Sequence, residues 1–220
     1  RQAGTAIGKA EQPQHPFLVQ SRPSRTELRI EFNKLNIQTP NGRRLLDLGH
    51  RRVGLVNGIE HMDFAIRRRA GYVEALTARS IPIDPALMTS EDMTEHSGFR
   101  AASRLLQSAD PPTAFLAASM LSGMGVRRAI EARGLKMGRD VSVIIFDDEL
   151  SYLKNGEDVP IFTATRSSVR DAGRIAAQML LDHIANPDAP PTHRLLEADL
   201  ILGQSTGPAP HPEAARADTL

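Results

Sequence analysis

The stretch SVIIFDDEL, Ser142–Leu150, decides how this chain folds. Val143 to Phe146 are four consecutive apolar residues, two of them the β-branched pair Ile144 and Ile145, with no polar residue alternating between them. A strand with one face in water reads apolar, polar, apolar. An unbroken run needs apolar neighbours on both faces, which a parallel sheet covered by helices on each side provides. The run stops at Asp147-Asp148. In open parallel sheets ligands collect beyond the carboxyl ends of the strands, so a carboxylate here is placed to hang over a ligand edge. Aspartates also cap turns and helix starts, and both readings fit the pair on local grounds.

On both sides of this run, strand and helix patterns alternate. A helix ends at Leu48-Gly49, and the apolar strand Val53–Val56 runs into Asn57-Gly58. Phe64–Ser80 reads as a helix with Phe64, Ala65, Ile66, Ala70, Val73 and Leu76 toward one side and its arginines toward the other. A short strand in PALMTSED follows, then a helix over Ser97–Ser108, and a strand over Thr113–Ser119 after the breaker Pro111-Pro112. Another helix, Leu121–Arg133, closes at Gly134 before the central strand. Downstream come the strand PIFTAT, the long helix pattern SSVRDAGRIAAQMLLDHIANP and one strand in LLEADLIL. Upstream, PFLV at Pro16–Val19 and LRIEF at Leu28–Phe32 read as short strands. The fold class is α/β, an open, mainly parallel sheet with helices on both faces.

The chain has 220 residues, 40% of them hydrophobic, enough for an ordinary core. Lys+Arg 27 against Asp+Glu 26 gives a net charge of +1, so no global field draws the chain to nucleic acid or anionic lipid. The absence of cysteine removes disulfides, thiolate metal sites and cysteine nucleophiles together, and fits a cytoplasmic protein. No spanning-length apolar run and no export leader is visible, and the expectation is no membrane association. The chain starts at Arg1 instead of Met, which reads as a fragment or a processed product.

Catalytic signatures are missing. There is no G-x-S-x-G elbow, phosphate loop or dinucleotide fingerprint, and the Gly123–Gly125 motif GMG lies inside a helix, where packing is its expected role. The seven histidines are scattered with no pair at helical ligand spacing, so no metal and no cofactor is expected. His50 beside Arg51-Arg52 reads as a surface or helix-end residue. Three consecutive arginines, Arg67 to Arg69, spread over most of a helical turn, leaving open whether one points to a cleft. Met93, after Asp92, has the ordinary role of a core gap-filler, and Ser119 either reaches a ligand or caps the next helix. Asn57, Asp92, Ser119 and Asp147 all fall where successive strands end. Uncharged donors with a few carboxylates suit a polyhydroxylated ligand such as a sugar.

Four quoted stretches together, LLDLGHRRVGLVNG, RRRAGYVEAL, GRDVSVIIFDDELSYL and PIFTATRSSVRDAGRIAAQMLL, resemble the effector-binding domain of bacterial transcription repressors of the lac repressor and galactose repressor family. The resemblance covers about Pro16 to Pro208. It implies a periplasmic-binding-protein-like fold of two α/β subdomains clasping a small effector, and a homodimer. It places ligand contacts on Arg68, before the A-G-aromatic step, and on Asp147, the first aspartate after the strand. Met93, following Asp92, stands where the family often packs an aromatic ring on the sugar. Ser119 and Ser167 stand where an asparagine and a glutamine are frequent, Arg22 resembles an arginine ending a strand of the other subdomain, and Phe64 completes the candidate set. The family's helix-turn-helix headpiece and most of its N-terminal subdomain are not seen. Residues 1–48 read as a remnant of that subdomain and its crossover, 49–192 as the C-terminal effector-binding subdomain, 193–207 as a strand returning toward the first, and 208–220 as a disordered tail.

The resemblance implies a sugar-sensing module of a repressor, reaching operator DNA only through a headpiece absent from this chain. Arg68 with Asp147 suits a neutral mono- or disaccharide, with α-glucosides suggested by HMDFAIRRRAGY and ATRSSV. The alternative is a transport-type sugar-binding protein of the same fold. An α/β enzyme finds no nucleophile and base to support it.

Overall fold

The computed structural model describes residues 29–32, 40–149, 153–190 and 192–210. The strand expected at Pro16–Val19, and Arg22, lie outside the described residues.

A six-stranded sheet carries the fold. Its strands are β2 (Val53–Asn57), β3 (Met88–Ser90), β4 (Ala114–Ala117), β5 (Ser142–Asp147), β6 (Thr163–Arg166) and β8 (Asp199–Ile201), in the order β3-β2-β4-β5-β6-β8. All neighbours are parallel except β8, which runs antiparallel to β6. The chain first steps outward from β2 to β3, then crosses back to β4 and continues the other way. The strand order therefore reverses between β2 and β4, which makes their carboxyl ends the crevice of the sheet.

Helices α1 (Pro40–Asp47) and α2 (Asp63–Ala78) cover one face, and α3 (Glu95–Leu106) and α4 (Met120–Glu131) the other. The central run divides as a doubly covered strand must: Val143 and Ile145 join the core under α3 and α4, while Ile144 and Phe146 join the core under α1 and α2. Phe115 and Ala117 on β4 sort to the first core, Ala114 and Leu116 to the second. Tyr72 is buried in the second core with its hydroxyl donating to Val53 O at 2.8 Å, and burial pushes the phenol up to about 12.

The GMG motif packs, as its place in a helix implied. A Cβ on Gly125 would stand 2.0 Å from Glu95 O, and one on Gly98 would stand 2.3 Å from Ser122 O, so α3 and α4 meet backbone to backbone.

Several expectations need correcting. The α2 face is rotated from the expected one: Ala65, Arg68, Gly71, Tyr72, Ala75 and Leu76 are buried, whereas Ile66 is exposed and an arginine is inside. The expected strand in PALMTSED begins with a 3-10 turn, Pro85–Leu87, capped by Asp84 and leaving only β3. LLEADLIL is two strands. β7 (His193–Leu196) pairs in parallel with β1 (Arg29–Phe32) as a separate two-stranded sheet, and after Glu197-Ala198 the chain enters the large sheet as β8. Leu200, expected near the other subdomain, pairs with Thr165 of β6. At the other boundary, Leu45 and Leu46 of α1 belong to the core under α2, so the end of α1 packs with the large sheet.

His50 is fully buried instead of lying at the surface. Its Nδ1 is 2.9 Å from Thr113 Oγ1, and its Nε2 is 3.0 Å from Ser142 Oγ and 3.1 Å from Gly207 O. It is a helix-end residue, its N–H donating back to Leu45 O. It ties the segment after β8 to the end of the sheet where β4 and β5 begin. That segment continues into the expected tail, where Ala209 N donates to Leu48 O. The rest of the expected tail, 211–220, lies outside the described residues.

Candidate functional site

The polar ends of β2, β4, β5 and β6 line up along one edge of the sheet. At the β2–β4 crevice, α2 turns Arg68 inward over the sheet, and only 2% of the residue is exposed. Its Nη1 donates to Asn57 Oδ1 at 2.9 Å and its Nη2 to Ala118 O at 3.4 Å. Asn57 is itself fixed, its Nδ2 donating to Ala65 O at 2.9 Å. The guanidinium carbon lies 5.6 Å from the Phe64 ring centroid and 5.9 Å from that of Phe146. Arg68 Nε has no hydrogen-bond partner among the described residues. Desolvation draws the guanidinium down to about 10, which leaves it charged at neutral pH.

Asp147 is the last residue of β5 and 6% exposed. Its Oδ1 accepts from Glu149 N at 3.1 Å, and its Oδ2 lies 3.3 Å from Arg166 Nη2. Arg166 Nε is also 3.6 Å from Glu149 Oε1. The turn after the strand is tight, with Glu149 at φ 58, and the local contacts of the carboxylate are those of the capping reading. It closes a turn, and it faces a concavity. A hollow of 320 Å³ is lined by Asp147, Glu149, Asn155 and Arg166, and a second, of 350 Å³, by Glu149, Arg166, Ser167 and Asp171. Arg166 separates the two.

The remaining candidates fall into place unevenly. Phe64 and Met93 crowd the same spot above Gly58: a Cβ there would stand 3.1 Å from Phe64 Cε2 and 3.3 Å from Met93 Sδ. The thioether thus lies beside the ring that flanks Arg68. Ser119 caps α4, accepting from Ser122 N at 3.2 Å, which is the capping reading of that residue. Ser167 is buried with its Oγ unpartnered among the described residues. Asp92 is exposed, and its carbonyl accepts from Thr94 N at 2.8 Å. Arg68 and Asp147 do not pair with each other among the described residues. Phe146 links them, stacking near the first and preceding the second.

Sequence reasoning missed three residues of this edge: the partner role of Asn57, the ring of Phe146, and Arg166. Arg166 left no signal, because its pairing with Asp147 comes from the register of β5 and β6, which sequence spacing does not show. Among the described residues no cluster of three or more His, Asp or Glu is arranged to hold a metal, and no helix is long and apolar enough to cross a membrane.

A family model described as a periplasmic binding protein-like domain matches residues 43–206. The chain belongs to the periplasmic binding protein-like domain family. Within this family, the chain resembles transcriptional regulators. The HTH-type transcriptional regulator AglR of Rhizobium meliloti (strain 1021) is 44% identical over 169 residues, 76% of this chain and 47% of that protein. CelR of Thermobifida fusca is 33% identical over 162 residues, 74% of this chain and 47% of that protein. The chain spans about half the length of the curated relatives it matches. Among solved structures, a CelR–cellobiose complex superposes with a TM-score of 0.71 at 30% identity, covering 84% of this chain and 56% of that one. A lac repressor dimer bound to operator and the anti-inducer ONPF gives 0.70 at 27% identity, covering 81% and 60%. The sequence resemblance to the effector-binding domain of the lac repressor and galactose repressor family is thereby borne out, as is the periplasmic binding protein-like architecture.

Proposed function

We propose that this periplasmic binding protein-like chain is the effector-sensing part of a bacterial transcriptional repressor and that its effector is a neutral mono- or disaccharide, α-glucosides among them. The observation that carries the reading is the sheet edge itself. A buried, charged Arg68 with an unpartnered Nε lies over the β2–β4 crevice, and further along the same edge an oriented Asp147 ends β5 on the lining of the 320 Å³ hollow, with the 350 Å³ hollow beyond Arg166. A cation that donates and an anion that accepts match hydroxyl groups, which do both. The names of the relatives support a regulator, and the CelR–cellobiose complex supports a saccharide.

In this reading β1 and β7 belong to a neighbouring lobe, the effector is held between lobes, and its differential affinity for two arrangements biases them. A helix-turn-helix headpiece contacts operator DNA from a homodimer in the cytoplasm, and the chain performs no catalysis.

Calorimetric titration of the chain with glucose, maltose and cellobiose tests the reading. Saturable heat with one of them, and a raised melting temperature in the same sugar, is expected, because a ligand held only by the folded state stabilises it. A cooperatively melting protein indifferent to all neutral sugars overturns it.

A further inference from the structure

We infer that Asn57 is a positioning residue for effector recognition: its neutral side-chain amide aims the Arg68 guanidinium across the β2–β4 crevice without neutralising it. The inference deepens the sugar-sensor reading and rests on it for the effector.

The geometry is that of a relay. Asn57 sits at the carboxyl end of β2 and is buried. Its Nδ2 is committed to Ala65 O on the first turn of α2 at 2.9 Å, which fixes the amide's orientation and leaves Oδ1 facing Arg68 Nη1 at 2.9 Å. The two rings of Phe64 and Phe146 restrict the guanidinium from the sides, and Ala118 O takes Nη2 at 3.4 Å from across the crevice. Each partner of Arg68 among the described residues is uncharged: an amide oxygen, a carbonyl oxygen and two aromatic rings. A cation this deeply buried is ordinarily matched by a carboxylate, since an unmatched one is costly. Burial is what lowers its pKa, with no anion among the described residues raising it. The loosely held Nη2, and the unpartnered Nε once the side chains covering it give way, are what remains for a hydroxylated ligand.

An aspartate at this position has nearly the same shape but gives up the donation to Ala65 O, and it has the opposite consequence for the charge. It would form a buried ion pair with Arg68 and hold the guanidinium against β2, competing with any ligand for the same N–H groups. The choice of amide over acid therefore determines how much of the Arg68 charge a ligand can use.

Two variants and two readouts test this. In ligand-free protein, arginine side-chain nitrogen NMR is expected to show Arg68 with separate, slowly exchanging Nη signals, averaged in Asn57→Ala and retained in Asn57→Asp. In titrations with maltose and cellobiose, both variants are expected to lose at least tenfold in affinity for whichever sugar the native chain binds. Asn57→Asp is the decisive case, since its arginine is ordered and its binding is lost. Native-like affinity in Asn57→Asp, or Arg68 signals unchanged in Asn57→Ala, overturns the inference. Should Asn57→Ala fail to melt cooperatively, Asn57→Ser carries the same two readouts. If the native chain binds neither sugar, the saccharide reading fails by itself, and the positioning role is decided by the ligand-free spectra.

Discussion

Asp147 and Arg166 face each other across the β5–β6 register, 3.3 Å apart, with the carboxylate buried and the guanidinium about a third exposed. The pair makes the ligand edge self-supporting: one carboxylate oxygen is held by Arg166, the other by the Glu149 N–H, and the remaining lone pairs can still accept. Arg166→Leu removes the cation from a buried acid. We expect a loss of about 1–2 kcal/mol in stability, since removing one partner leaves the other desolvated and unpaired. Urea denaturation measures it, and an unchanged midpoint would show that Arg166 contributes nothing to holding Asp147.

Asp147→Ala and Arg68→Met should each weaken sugar binding by about 1–3 kcal/mol, the cost of leaving a ligand hydroxyl unpaired in a desolvated site. Methionine is chosen to keep the bulk of the Arg68 stem between Phe64 and Phe146. Titration calorimetry on variants that still melt cooperatively gives the answer. Full affinity in both would remove them from the site.

Stability should fall on the acid side of neutrality through His50. Burial lowers its pKa from the usual imidazole value, the Gly207 carbonyl only partly opposing the shift. The unfolded chain therefore binds the proton more readily than the folded one. The stabilising contribution is complete above about pH 6.5 and is lost as the pH falls through the lowered folded value. Melting temperatures between pH 8 and pH 5, compared with those of His50→Asn, isolate the effect as a difference in slope below about pH 6.5. Parallel curves for the two proteins would mean that the ring titrates alike in both states.

Gly125→Ala should destabilise by about 1–3 kcal/mol or more, because the added methyl group must displace backbone of α3 instead of a pliable side chain. In Gly134→Ala the added methyl group meets no neighbour within 4 Å, and only the strain of φ +72 remains. The ratio of the two losses, by chemical denaturation, separates crowding from backbone strain. Gly125→Ala matching the native midpoint would show that the helices can part freely.

The fold was legible because long-range burial writes itself into sequence where both faces of a strand are covered. Val143–Phe146 announced a central parallel strand, and the caps and breakers around α3, β4 and α4 placed their ends within two residues. The pattern failed where one strong polar residue belongs inside. On α2, hydrophobic spacing put Ile66 in and the arginines out, because periodicity cannot foresee that Arg68 is solvated by Asn57 and two rings. LLEADLIL failed for another reason, since uninterrupted propensity gave no hint that the chain changes sheets at Glu197-Ala198. At the candidate site, the strand-end rule pointed to Asp147 and the family resemblance to Arg68. Neither rule sees a partner brought by topology, which is why Arg166 and the role of Asn57 emerged only in three dimensions.

The segment after β8 has an implication for how the protein is made. Ser205 O accepts from Val143 N at 2.7 Å, Ser205 Oγ accepts from Thr163 N at 2.8 Å, and Gly207 N donates to Ser142 Oγ at 3.0 Å. A nascent chain still short of these residues holds its central strands with that edge unsealed, however complete the helices already are. Synthesis must therefore deliver the last residues of the lobe before its interior is shut against water, and a released chain ending at Ile201 would offer chaperones a nearly built but open structure.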